Sequence, residues 1–211
     1  MRTKFIFSLL MAMALIIMSC SDGEGSGSAE GTGTLSVQLT DAPFPYELVA
    51  EANVTVYKVE ARQVENDDDS SDDTDDSSDD DSNDDNYPYI TLMEEEMDVN
   101  LLELTNGLTQ QLAEIDVPAG SYDLIRVYVK GVNVILTDGT VFDLKVPSGD
   151  ASGIKVFIDP ALTVTSGLSS DLLLDFDVSR SFVPKGNIST PAGVNGFNFK
   201  PVIKASNSST A

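Results

Sequence analysis

Apolar residues recur with period two along most of the chain from 33 to 205. Leu35, Val37 and Leu39 alternate with Ser36, Gln38 and Thr40. Ile125, Val127 and Val129 share a face, as do Phe142, Leu144 and Val146, then Ile154, Val156 and Ile158, and finally Leu172, Leu174, Phe176 and Val178. A strand turns successive side chains to opposite faces, so this alternation predicts half-buried antiparallel strands lining one core. Turn-forming residues separate the runs: Pro118-Ala119-Gly120-Ser121, Thr137-Asp138-Gly139-Thr140 and Pro147-Ser148-Gly149, with Asp138-Gly139 the clearest hairpin signal. Helical spacing is confined to one short turn over Asn100 to Asn106, stopped by Gly107. The pattern predicts an all-β fold, a single antiparallel β-sandwich of about seven to nine strands in which two sheets bury their inner faces against each other.

Two stretches break the alternation. Residues 1–19 have a basic start, Arg2 and Lys4, followed by an apolar run from Phe5 to Met18, the length of a signal peptide and short for a membrane span. The run ends in Ile17-Met18-Ser19-Cys20, which resembles the lipobox of bacterial lipoproteins. Cys20 is the only cysteine, so no disulfide forms within the chain, and lipidation accounts for a lone cysteine in an exported protein. Acyl chains on Cys20 would hold the protein on a membrane without crossing it. Ser21-Asp22-Gly23-Glu24 resembles the acidic export signals that send lipoproteins to the outer face of the outer membrane; a periplasm-facing lipoprotein is the alternative address. Residues 20–32, rich in glycine and serine, read as a flexible tether, 33–205 as the sandwich, and 206–211 as a disordered tail.

The second break is the run from Asp67 to Asp85, which holds twelve aspartates and no apolar residue, so it cannot be core. It lies between an expected strand at Val54 to Val64 and another at Tyr87 to Leu92, and reads as a disordered insertion at a hairpin tip, which loop-closure entropy tolerates. Calcium takes about six to eight oxygen ligands, and dense aspartates such as Asp67, Asp68, Asp69, Asp72 and Asp73 supply them. The run lacks the glycine and terminal glutamate of an EF-hand, so weak, screened Ca²⁺ association is the expectation, and no other cofactor is expected.

Charge and composition then remove whole classes of function. The formal net charge is −23, and loss of Arg2 and Lys4 with the signal peptide makes it more negative, which excludes nucleic acid as a partner. The chain contains no histidine, which removes the usual general base and commonest metal ligand, and with Cys20 assigned to lipid the zinc sites and hydrolytic triads go too. Asp175 and Asp177 share a strand face, and Arg126 points away from Ile125 and Val127; a structural network that fixes register or caps turns is the plain reading of these three. No catalytic residue is assigned. Asp41, beside Pro43 and Pro45, is read as a turn former or ligand. Phe44, Tyr46, Tyr87 and Tyr89 sit in proline-containing stretches near strand ends and are candidates for contact with an extracellular glycan or other partner.

Leu39-Thr40-Asp41-Ala42-Pro43, Pro118 to Tyr122 with Ile125-Arg126, Pro147-Ser148-Gly149 with Ser152 to Lys155, and Leu174-Asp175-Phe176-Asp177 with Ser179 occur in that order. As a set they resemble the bacterial lipoprotein family known as domain of unknown function 4382, over about residues 33 to 204. The resemblance implies a transthyretin-like or prealbumin-like sandwich, an Ig-like Greek key being the other arrangement the strands would suit, and it implies no activity and no catalytic residue. The aspartate insertion departs from the family's shorter loop. The expected function is therefore a non-enzymatic cell-envelope lipoprotein displaying a ligand-binding module. The alternatives are a structural or assembly component joined through an open sheet edge, and a carboxylate-based hydrolase.

Overall fold

A computed structural model describes residues 31–41, 44–64, 88–147 and 151–207. Residues 1–19, read above as a signal peptide, Cys20, the acidic run with Asp67, Asp68, Asp69, Asp72 and Asp73, and Tyr87 lie outside the described residues. The strands are β1 (Thr32–Asp41), β2 (Val49–Val64), β3 (Tyr89–Met93), β4 (Met97–Asn100), β5 (Gln110–Pro118), β6 (Gly120–Leu136), β7 (Val141–Asp143), β8 (Ile154–Val164), β9 (Ser169–Phe176), β10 (Phe182–Gly186), β11 (Val194–Phe199) and β12 (Ile203–Asn207). One helical turn, α1 (Val178–Ser181), follows β9.

The strands form a β-sandwich. The first sheet has the order β12-β9-β1-β5. The second is built on the long strands β2 and β6, with β3 and β4 sharing the outer side of β2 and β8 and β7 sharing the outer side of β6. The inner faces meet in one core: Leu35, Val37 and Leu39 of β1 and Leu172, Leu174 and Phe176 of β9 belong to the same buried cluster as Val54, Val56 and Val59 of β2 and Ile125, Val127 and Val129 of β6. Burying these side chains contributes roughly 1.5–3 kcal/mol each. A two-stranded ribbon, β10-β11, joins through aromatics: Phe182 and Phe199 pack with Phe176 of the first sheet, and Phe197 meets Phe142 at 5.8 Å.

Three details go beyond the alternation. The strands number twelve among the described residues, because each long central strand pairs with two short strands in succession and because the β10-β11 ribbon is separate. The pair β1-β9 is parallel, Leu35 facing Ser170 and Leu39 facing Leu174; parallel neighbours need a crossover, and the whole second sheet provides it. Leu144 and Val146 lie past the end of β7 yet still pack against the core. The expected hairpin is present: Leu136 N–H donates to Thr140 O at 2.9 Å, Thr140 N–H donates to Asp138 Oδ1 at 2.9 Å, and Gly139 takes the positive φ of 85° that the turn requires.

Tyr122 pins the β5-β6 turn to the core. Its ring is wholly buried and its hydroxyl donates to Pro118 O at 2.7 Å. Burial pushes the Tyr122 hydroxyl up to about 12. Its raised value means that the stability it adds is complete below the unfolded tyrosine value near 10 and is lost as pH rises through the folded one. Tyr122→Phe is expected to cost about 1 kcal/mol in urea unfolding at neutral pH. The wild type should then lose stability between about pH 10 and 12, and the variant should lose less over that interval.

Candidate functional site

β1 ends at a junction that sets up the only groups predicted for ligand contact near it. Asp41, buried, accepts from Val178 N–H through Oδ1 at 3.1 Å and donates its own N–H to Leu104 O at 3.2 Å. The Thr40 hydroxyl lies 3.1 Å from Leu104 O and 3.0 Å from Leu108 O. These bonds dock the β4-β5 connection against the end of β1. That connection begins with a 3-10 turn, Leu101–Glu103, capped by Asn100, whose Oδ1 accepts from both Leu102 N–H and Ala52 N–H at 3.3 Å. Leu101 and Leu104 are buried as plugs, which leaves Leu102 and Thr105 facing the chain that leads out of β1.

Phe44 and Tyr46 lie on that outgoing chain, both half-buried against the core. Pro45 between them is exposed, and Val49 N–H donates back to Tyr46 O at 3.1 Å as β2 begins. The two rings meet edge to face, centroids 5.0 Å apart at 84°. With Glu47, Val49, Leu102 and Thr105 they line a cavity of about 320 Å³. Small-molecule sites run from about 300 to 1,000 Å³, so this one has room for a single ring-sized group. Its lining combines aromatic faces and apolar walls with a carboxylate and a hydroxyl. The Thr105 hydroxyl is steadied by Asn106 Nδ2, which donates to it at 3.3 Å, and the chain then turns through Asn106 and Gly107, both at positive φ.

Tyr89 is placed elsewhere. On β3 it stacks on Arg126 of β6, with the guanidinium carbon 4.0 Å from the ring centroid, on the outer face of the second sheet. That face carries a network found by no sequence pattern. Buried Glu60 accepts from the Tyr128 hydroxyl at 2.7 Å and pairs with Lys58, while Arg62 grips Asp123 with two bonds of 2.9 and 2.8 Å. Lys130 pairs with Glu96 and lies 5.6 Å from the Tyr57 ring centroid. Burial pushes Glu60 up, but the hydrogen bonds from Lys58 and Tyr128 and the charges of Lys58 and Arg126 outweigh it, so its carboxyl ends below the usual value. Burial and then the bond to Glu60 push the Tyr128 hydroxyl up, and the Lys58 ammonium is raised chiefly by its bond to Glu60. Each group sits in its favoured protonation state at neutral pH, an arrangement that fixes structure.

The remaining candidates separate. Asp177 caps α1, its Oδ1 accepting from Arg180 N–H at 3.0 Å and Ser179 Oγ–H at 2.7 Å. Asp175 stands on β9 between Thr40 and Lys204. Arg126 is on the other sheet, so the three form no common site. Among the described residues no group of three or more acidic or cysteine side chains is close enough to hold a metal ion, and no helix is long and apolar enough to cross a membrane. The edge strand β5 presents Glu114 and Asp116 to solvent, charges of the kind that blunt strand addition, with exposed Ile115 between them.

A family model described as "Domain of unknown function (DUF4382)" matches residues 32–201. The chain belongs to this family. No curated protein and no solved structure matches it. In this DUF4382 chain the stretches that carry the resemblance hold backbone geometry. Asp41 ties β1 to α1, Tyr122 bonds back to Pro118, and Asp177 caps α1. Gly153, at φ +66°, lies so close to Tyr128 that a Cβ there would meet the ring at 3.1 Å. The cavity residues Glu47, Val49, Leu102 and Thr105 lie outside those stretches.

Replacing Glu60 with glutamine removes the anion from between Lys58, Tyr128 and Arg126. The expected cost is about 2 kcal/mol at neutral pH. Because the folded carboxyl lies below its unfolded value, the stability Glu60 adds is present above the unfolded value and is lost as pH falls through the folded one. Urea midpoints of Glu60→Gln and wild type are therefore expected to converge at acid pH, and a gap independent of pH would contradict the assignment.

Proposed function

We propose that the protein is a non-enzymatic surface lipoprotein that displays a ligand-binding module, with the Phe44–Tyr46 cavity as its binding site and an extracellular glycan as the ligand. The observation that carries the reading is the meeting of two aromatic rings, a carboxylate and a hydroxyl around one ring-sized cavity. Pyranose rings present apolar C–H faces and hydroxyl edges, so a site for them needs aromatic surface beside a few polar groups.

The position of the cavity supports display. The lipid-bearing residue in this reading is Cys20, at the end of Ile17-Met18-Ser19-Cys20, and the segment after it leads directly into β1. The start of β1 is held by Gly167 N–H donating to Thr32 O at 2.9 Å and by Leu168 O accepting from Thr34 N–H at 3.0 Å. Its other end leads to Phe44. A strand rises about 3.3 Å per residue, so β1 separates the tether from the cavity by roughly 30 Å. In this reading the cavity lies at the opposite end of β1 from the lipid tether, clear of the anchored terminus.

Two experiments test the proposal. Growth with labelled palmitate is expected to label the chain, and Cys20→Ala is expected to abolish the label; a label that persists in the variant would remove the lipid anchor from the reading. A glycan array probed with the detergent-solubilised full chain is expected to give specific binding that Phe44→Ala and Tyr46→Ala each weaken about tenfold, the worth of about 1.4 kcal/mol of ring contact. Glycan binding indifferent to both substitutions would move the site elsewhere on the sandwich.

A further inference from the structure

We infer that the ligand group seated in the Phe44–Tyr46 cavity is an organic ammonium, and that the saccharide class it fits is an amino sugar; this rests on reading the cavity as the ligand site. Two observations converge. Glu47 is exposed at the cavity and is the only charged residue among the six described residues that line it. The aromatic pair is perpendicular, so one ring turns its edge to the other and keeps both of its own faces clear of that partner. An aromatic face attracts a cation through its quadrupole, and an adjacent carboxylate adds direct charge pairing.

The long-range field points the same way. The chain carries 35 acidic against 12 basic residues, and five of those basic residues, Lys58, Arg62, Arg126, Lys130 and Lys155, stand on the outer face of the second sheet, where Lys58, Arg62 and Lys130 pair with carboxylates. Among the described residues no lysine or arginine lines the cavity. A saccharide bearing carboxylate or sulfate would meet Glu47 and the net field unaided, whereas an ammonium gains from both. A neutral sugar gains from the rings alone.

The test is a ligand-observed NMR titration of the detergent-solubilised full chain with the methyl glycosides of glucosamine, N-acetylglucosamine and glucuronic acid, at slightly acidic pH where the amine is protonated. The ammonium sugar is expected to bind about fivefold more tightly than its neutral N-acetyl counterpart, with a preference that shrinks as salt is raised. The uronic acid is expected to bind most weakly. Glu47→Gln, at an exposed position, should remove the preference, the ammonium sugar falling to the affinity of its neutral counterpart; Phe44→Ala should weaken the ammonium and neutral sugars alike. Equal binding of the ammonium and neutral sugars to the wild type, or a preference that survives Glu47→Gln, overturns the ammonium assignment and leaves the cavity as a neutral-sugar site. Absence of binding by all three, or binding that ignores both Phe44→Ala and Tyr46→Ala, overturns the cavity reading and the inference with it.

Discussion

The pairing of β2 with β6 is the constraint on which the other strands depend. It runs from Val49 opposite Leu136 to Val64 opposite Ser121, and every other strand of the second sheet attaches to one of its two sides. Strands this long cannot stay flat, because the right-handed twist accumulates residue by residue. The ladder accommodates the twist with four register shifts, each an extra residue on one strand that bends it locally. The shift at Tyr57 matters most for the outer face. Beyond it Lys58 stands opposite Tyr128, Glu60 opposite Arg126 and Arg62 opposite Leu124, so opposite charges face each other at Glu60 and Arg126 while Val59 and Ala61 keep facing the core.

The cavity is an extension of the same ladder. Asn100 closes β4, which pairs with β2, and its side-chain oxygen binds the backbone of β2 and of the 3-10 turn together. Leu101 and Leu104 then enter the core and the rest of the turn is left at the surface. From the other sheet, the end of β1 meets this turn through Asp41 and Thr40. Phe44 and Tyr46 therefore sit beside the point where the end of β1 is bonded to the β4-β5 connection, which holds two half-buried rings in one geometry without a regular element of their own. Such preorganisation lowers the ordering cost of binding.

Alternation revealed the strands with one face buried and one wet: β1, β9 and the middle of β6. It was silent on β10 and β11, where Pro184 and Gly196 interrupt strands of only five and six residues, too short to establish a period. It ran past the end of β7 because Leu144 and Val146 face the core after leaving the ladder, and apolar spacing reports burial without reporting hydrogen bonds. It could not give the direction of β9 relative to β1, since an apolar pattern reads the same both ways. Of the cavity, Phe44 and Tyr46 were legible as aromatics beside prolines at a strand end. Leu102 was not: in Leu101-Leu102-Glu103-Leu104 helical spacing marks the first and last leucines for the core and leaves the second unexplained. The Glu60–Tyr128 and Lys58–Glu60 contacts were beyond reach because they depend on a register that includes the bulge at Tyr57.

The distribution of charge links these two surfaces. In a strongly acidic chain, a basic side chain is most stabilised where carboxylates are already held in place, and the outer face of the second sheet supplies Glu60, Asp123 and Glu96 on adjoining strands and connections. The cations gathered there are matched locally and raise little field elsewhere, because exposed pairs are screened within about 10 Å. At the far end of β1, Glu47 is the one charged side chain among the described residues that line the cavity. On the proposed reading of the cavity, a lysine placed in the β4-β5 connection would oppose Glu47 and weaken the preference for a cation without touching either aromatic ring.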